Sequence, residues 1–73
     1  MTLNISNRGI KSLEDYFKNY PCPQNIIKLD CSHNQLTSLK GCPSNITILW
    51  CDNNQLTSLK GCPKNITILD CSH

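Results

Sequence analysis

Apolar residues recur along this chain in one fixed figure, Ile46-x-x-Leu49-x-Cys51-x-x-Asn54-x-Leu56-x-x-Leu59, and the same register holds Ile26, Leu29, Cys31, Asn34, Leu36 and Leu39. The alternation at Leu49 and Cys51 is the period-two signature of a short strand. Residues 31–50 (CSHNQLTSLKGCPSNITILW) and 51–70 (CDNNQLTSLKGCPKNITILD) agree at 16 of 20 positions, and the CSH of 71–73 copies 31–33. Strands that return at a constant interval can stack in parallel at ~4.8 Å. Asn34 and Asn54 fall where the chain leaves each strand. Their amides can donate to and accept from backbone groups that the turn leaves unpaired, which predicts a hydrogen-bonded ladder from rung to rung. Leu36, Leu39, Leu56 and Leu59 are expected to point back into the core. Gly41 and Gly61, each followed by Cys-Pro, mark the return bend. Too few residues remain on the outer side of a 20-residue rung for a full helix, so turns or extended chain are expected there.

Upstream the figure continues in altered form. Gln24–Asp30 matches Ser44–Trp50, and Leu3-x-Ile5 with Ile10-x-x-Leu13 resembles Leu49-x-Cys51 with Leu56-x-x-Leu59. The link from Leu13 to Cys22 is six residues longer than that from Leu39 to Cys42. It carries Tyr16, Phe17 and Tyr20, opens on Ser12-x-x-Asp15, a capping-box start, and meets Pro21, which ends a helix. The spacing therefore predicts a short helix around Leu13–Asn19. The chain divides into a longer N-terminal repeat over 1–25, which caps the array, and regular repeats over 26–73, the last cut short after its strand.

This register resembles the leucine-rich repeat, L-x-x-L-x-L-x-x-N/C-x-L, in its shortest, 20-residue class. The run Leu-Thr-Ser-Leu-Lys-Gly-Cys-Pro-x-Asn-Ile looks like the repeats of leucine-rich repeat proteins in giant viruses of amoebae. It is similar, more distantly, to the short-repeat bacterial effectors. The resemblance implies an α/β repeat fold: a short solenoid with a parallel concave sheet, a mostly irregular convex side and a short N-terminal helix. It also implies a protein–protein interaction module rather than an enzyme, and, on the viral likeness, the cytoplasm of a host cell.

Composition narrows the function further. Leu, Ile, Val and Phe supply 18 of 73 residues, above the level that predicts disorder. The formal net charge is +2 without a basic run, which argues against nucleic acid. No apolar stretch reaches the length of a membrane span, and the N-terminus Met1-Thr2-Leu3-Asn4-Ile5-Ser6 lacks the parts of a secretory signal. Six cysteines in so short a chain would ordinarily suggest a secreted disulfide framework. Here all six obey the repeat: Cys22, Cys42 and Cys62 form one series, and Cys31, Cys51 and Cys71 another. The favoured reading is that they are small core residues in a reducing cytoplasm. Disulfides between stacked rungs are an alternative, although each series of three leaves one thiol over. Cys31-x-His33 and Cys71-x-His73 offer zinc-type ligands, but without C-x-x-C spacing and with His33 on the exposed strand exit.

No cofactor or catalytic group is expected. Ser32-His33 and Ser72-His73 are sequence neighbours near Asp30 and Asp70, without the third orienting group a nucleophile needs. Gly9, Gly41 and Gly61 are isolated and form no phosphate loop. Asn4-Ile-Ser6, Asn45-Ile-Thr47 and Asn65-Ile-Thr67 match glycosylation acceptors, which matter only in a secreted chain.

The two regular repeats differ at 32/52, 33/53, 44/64 and 50/70 alone. Three of these four positions are expected on the concave face, where packing constrains side chains least and solenoids bind partners; unconstrained drift would produce the same pattern. The expected partner-binding face is Lys28, Asp30, His33, Ile48, Trp50, Asp52, Asn53, Ile68 and Asp70. Trp50, between an exposed Ile48 and Asp52, is its expected anchor together with Ile48 and Ile68. The strand edge beyond residue 70 has no polar cap, so self-association through it is also expected. The alternatives are a truncated structural fragment without its own partner and, further off, a Cys/His metal-binding module.

Overall fold

The computed structural model describes residues 1–72. Four strands, β1 (Thr2–Asn4), β2 (Lys28–Asp30), β3 (Ile48–Trp50) and β4 (Ile68–Asp70), form one parallel sheet in sequence order. Leu3, Leu29, Leu49 and Leu69 stand in register across it. One helix, α1 (Leu13–Asn19), fills the longer link after β1. It begins where its sequence said: Ser12 is the N-cap, its hydroxyl accepting from Asp15 N at 3.2 Å, and Glu14 and Asp15 occupy the positive end of the first turn. Leu13 is buried, while Tyr16 and Phe17 lie half-buried against the core. The convex side of the regular rungs is turns and extended chain, as the short repeat requires.

The rungs are tied by asparagine. Asn34 Nδ2 donates to Ile5 O in the rung before and to Cys31 O in its own, both at 3.0 Å, and its Oδ1 accepts from Arg8 N and Ile10 N. Asn54 repeats this one rung on, donating to Cys31 O and Cys51 O at 3.0 Å and accepting from Leu36 N. Both residues are buried, and every buried side-chain N or O atom among the described residues has a partner. Backbone bonds continue the ladder on both sides of the strands, from Cys31 N to Trp50 O at 2.8 Å and from Gln55 N to Leu36 O at 2.9 Å.

The core is a stack of Ile5, Leu13, Leu29, Leu36, Leu39, Ile46 and Leu49, with Cys31 and Cys51 wholly buried among them. At the return bends the backbones touch. Gly61 has φ +89°, and a Cβ there would fall 2.5–2.6 Å from backbone atoms of Leu39 and Lys40. Gly41, at φ +91°, sits in the same way against the backbone of Glu14, on the first turn of α1.

Three expectations fail at the C-terminal end. Leu56 is half-buried and Leu59 is 46% exposed instead of pointing into a closed core, and Cys71 is exposed. An inward position is covered by the next rung rather than by its own, and no described residue stacks on that side. Leu56, Leu59 and Cys71, with Thr57 and Ser58, line an open recess of ≈220 Å³. The last CSH triplet ends on His73, which lies outside the described residues, as does the Cys71-x-His73 pair.

Replacing Asn54 by Ala leaves the carbonyls of Cys31 and Cys51 and the amide of Leu36 without their partner in a buried setting. The expected loss is about 2–4 kcal/mol, the desolvation cost of orphaned backbone groups. It reads out as a lower midpoint in urea denaturation followed by circular dichroism.

Candidate functional site

The concave face is the outward side of the four strands. Lys28, Ile48 and Ile68 form one column across it, with Thr2, and Asp30, Trp50 and Asp70 form the next, with Asn4. Asp52 and the pair His33 and Asn53 follow at the strand exits. The register thus places six of the nine expected residues in these two columns, and Asn53 lies within hydrogen-bond reach of both His33 and Asp52 beyond the strand ends. Their exposure differs from expectation: Ile48 and Trp50 are half-buried, because each is flanked by a strand on both sides, whereas Ile68, on the outermost strand, is 53% exposed.

One of the positions that vary between repeats, 33/53, is less free than the sequence suggests. His33 and Asn53 have φ +56°, and Asn7 takes the same place in the first rung at +57°. This left-handed conformation lets His33 N reach Asp52 O at 3.0 Å and Asn53 N reach Ser72 O at 2.9 Å. Asn and His are among the few L residues that adopt it readily, so backbone geometry selects the residue types in this column. The side chains also meet, with Asn53 Nδ2 3.3 Å from His33 Nε2.

Ser32, expected on the open face, is buried instead. Its hydroxyl donates to Asp30 Oδ1 at 2.6 Å, and its amide donates to the same oxygen at 3.1 Å. Ser72 makes both bonds to Asp70 Oδ1, and Ser6 makes both to Asn4 Oδ1. Each strand except β3 therefore ends in a side-chain turn built from an Asp or Asn and the Ser two residues on. In β3 both members are replaced: Trp50 stands for the Asp and Asp52 for the Ser, and Asp52 Oδ2 accepts instead from Asn53 Nδ2 at 3.0 Å. Sequence reading missed this motif although Asn4-x-Ser6, Asp30-x-Ser32 and Asp70-x-Ser72 were all visible. The first of them also matches the glycosylation acceptor pattern, which hides its structural role.

The cysteines form two columns. Burial pushes the thiols up, Cys42 and Cys51 to about 12, Cys31 further still and Cys22 less. Neighbours in the same column add to this, Cys62 acting on Cys42 and Cys71 on Cys51. Raised pKa values mean weak nucleophiles and poor metal ligands in the folded chain. Cys31 is enclosed in the core, while His33, two residues on, faces solvent, so the pair does not converge. Among the described residues no three His, Cys, Asp or Glu side chains are grouped to hold a metal ion, and no helix is long and apolar enough to cross a membrane.

A family model described as "Leucine Rich repeats (2 copies)" matches residues 24–61 of the chain. No curated protein and no solved structure matches it.

Two outcomes follow from this geometry. Asp30→Ala removes the acceptor of buried Ser32 and is expected to cost about 1–2 kcal/mol, whereas Asp52→Ala, which supports no such turn, stays within about 0.5 kcal/mol of wild type. Urea denaturation of the two variants side by side separates them. The raised thiols make a second expectation. The unfolded chain ionises its thiols from about pH 8.5, while Cys42 and Cys51 hold their protons to about 12 in the fold. The folded state then binds more protons, so the thiol contribution to stability is fully present below about pH 8.5 and is lost progressively above it. With iodoacetamide under reducing conditions, Cys71 reacts first, and Cys31 and Cys51 react only on unfolding.

Proposed function

Because the chain belongs to the leucine-rich repeat family, we propose that it is a non-catalytic protein-binding module whose concave sheet face receives the partner. Leucine-rich repeat domains generally mediate protein–protein interaction and are typically not enzymes. The contact surface comprises Lys28, Asp30, His33, Ile48, Trp50, Asp52, Asn53, Ile68 and Asp70, with Trp50 as the anchor and Ile48 and Ile68 as its apolar neighbours.

The observation that carries this reading is the exchange in the middle of the sheet. Three rungs close their strands with a hydrogen-bonded Asp/Asn–Ser turn, and the fourth gives that turn up at both positions in favour of Trp50 and Asp52. Departures from a local rule that the rest of a structure keeps are concentrated at functional sites. The residue installed is the chain's one tryptophan, the side-chain type most enriched among binding hot spots. The reading includes a reducing, cytoplasmic setting, supported by the use of Cys31 and Cys51 as buried apolar side chains.

An affinity pull-down from lysate, read by quantitative mass spectrometry, tests it with three baits: wild type, Trp50→Ala and Tyr20→Ala. Tyr20 is an exposed aromatic at the end of α1, away from the face, and serves as the control. A partner retained by wild type and Tyr20→Ala should bind Trp50→Ala about thirtyfold more weakly, the loss expected when a hot-spot side chain is truncated. Equal recovery on all three baits would sink the assignment of the face.

A further inference from the structure

The chemistry of the partner follows from how charge is distributed. The chain is cationic overall, at +2. Its concave face is not: Asp30, Asp52 and Asp70, three of the five acidic residues, stand there against Lys28 alone among the cations of the strands. Trp50 is at the centre of this arrangement. It is in direct register with Asp30 on one side and Asp70 on the other, at a strand spacing of ~4.8 Å, and Asp52 follows two residues later at the strand exit.

The carboxylates are not consumed by the fold. Asp30 and Asp70 each use Oδ1 for the turn to Ser32 or Ser72, and Asp52 uses Oδ2 for Asn53. The remaining oxygens Asp30 Oδ2, Asp70 Oδ2 and Asp52 Oδ1 take part in no hydrogen bond among the described residues. The one ion pair among those residues is Lys40–Glu14, on the convex side. A half-buried indole between two carboxylates, each with an oxygen to spare, is suited to a flat cation. An arginine guanidinium stacks on an aromatic face and donates in its own plane to carboxylates at the ring's edges. A compact ammonium satisfies the charge but not the plane, and an anionic or phosphate-bearing partner meets the wrong sign.

We propose that the concave face binds an arginine-bearing segment of a protein partner, with one guanidinium stacked on Trp50 and held by Asp30 and Asp70. The inference rests on the reading of this face as the binding surface and adds the chemical class of what it binds. Asp52 supplies a third carboxylate for a second cation farther along the segment. Polar, uncharged Thr2 and Asn4 continue the sheet on the β1 side.

The sequence makes the test direct, because Trp50 is the only tryptophan and reports on its own surroundings. The full chain is titrated with acetyl-Gly-Arg-Ser-Arg-Gly-amide and with the same peptide carrying citrulline for arginine, a neutral analogue of the same shape, while Trp50 emission is followed. A third titration uses Asp30→Asn/Asp52→Asn/Asp70→Asn. Asn4 already accepts from Ser6 as Asp30 does from Ser32, so these substitutions remove charge and keep the turns; an unchanged urea midpoint verifies it. The expected result is a saturable change with the arginine peptide that weakens with salt, and binding at least about tenfold weaker both for the citrulline peptide and for the triple variant, as loss of charge-assisted contacts implies. No saturable change, or equal binding of the arginine and citrulline peptides, overturns the proposal, as does equal binding by the triple variant. The two readings fail separately. A partner captured through Trp50 while the arginine peptide does not bind leaves the binding face in place and removes its cation specificity.

Discussion

The structure depends on one interaction, the clamp that a buried asparagine amide makes across two rungs. Asn34 and Asn54 each donate to a carbonyl of their own rung and to one of the rung before, and accept from a backbone amide of that earlier rung. No rung has an interior of its own: a three-residue strand and a few apolar side chains cannot repay the ordering of 20 residues. The clamp puts each rung's apolar residues directly beneath those of the next, and only then do Leu29, Leu36, Leu39, Ile46 and Leu49 become a core. Everything on the concave face inherits its register from this contact.

The same stacking explains why the face is less variable than it looks. The strand exit must adopt a left-handed conformation, which favours residues such as Asn and His at 33 and 53, and the Asp/Asn–Ser turn occupies the positions on either side of the inward Cys. What remains free is the outward position early in each strand, at Lys28, Ile48 and Ile68, and the choice in β3 to forgo the turn. Trp50 and Asp52 are therefore one change rather than two. A rung that gives up its own closing hydrogen bonds for a half-buried indole is the departure on which the proposed binding role of Trp50 rests. The carboxylates of the neighbouring rungs, set in register by the clamp, define its electrostatic surroundings.

Much of this was legible in the sequence because a solenoid is quasi-one-dimensional. The 20-residue return dictates parallel strands in chain order; Leu49-x-Cys51 dictates which side faces in; Ser12, Pro21 and the longer link dictate a helix where α1 stands. The side chains at Leu59, Cys71 and Ser32 depart from expectation for a common reason. Their pattern is identical to that of covered or unconstrained counterparts, and what differs is the neighbour. Leu39 is buried and Leu59 half-exposed within the same heptapeptide, Gln-Leu-Thr-Ser-Leu-Lys-Gly, because among the described residues only the first has a rung above it.

The sequence by itself determined the period, the inward set and the family, since each is written in local spacing and repeated often enough to be read without a partner. Only the tertiary structure decided which of those inward residues are sheltered, that Ser32 turns back onto Asp30, and that Trp50 stands between two carboxylates twenty residues away in either direction. Those facts belong to contacts between rungs, and a contact between rungs exists only after the asparagine clamps have brought residues 30, 50 and 70 side by side.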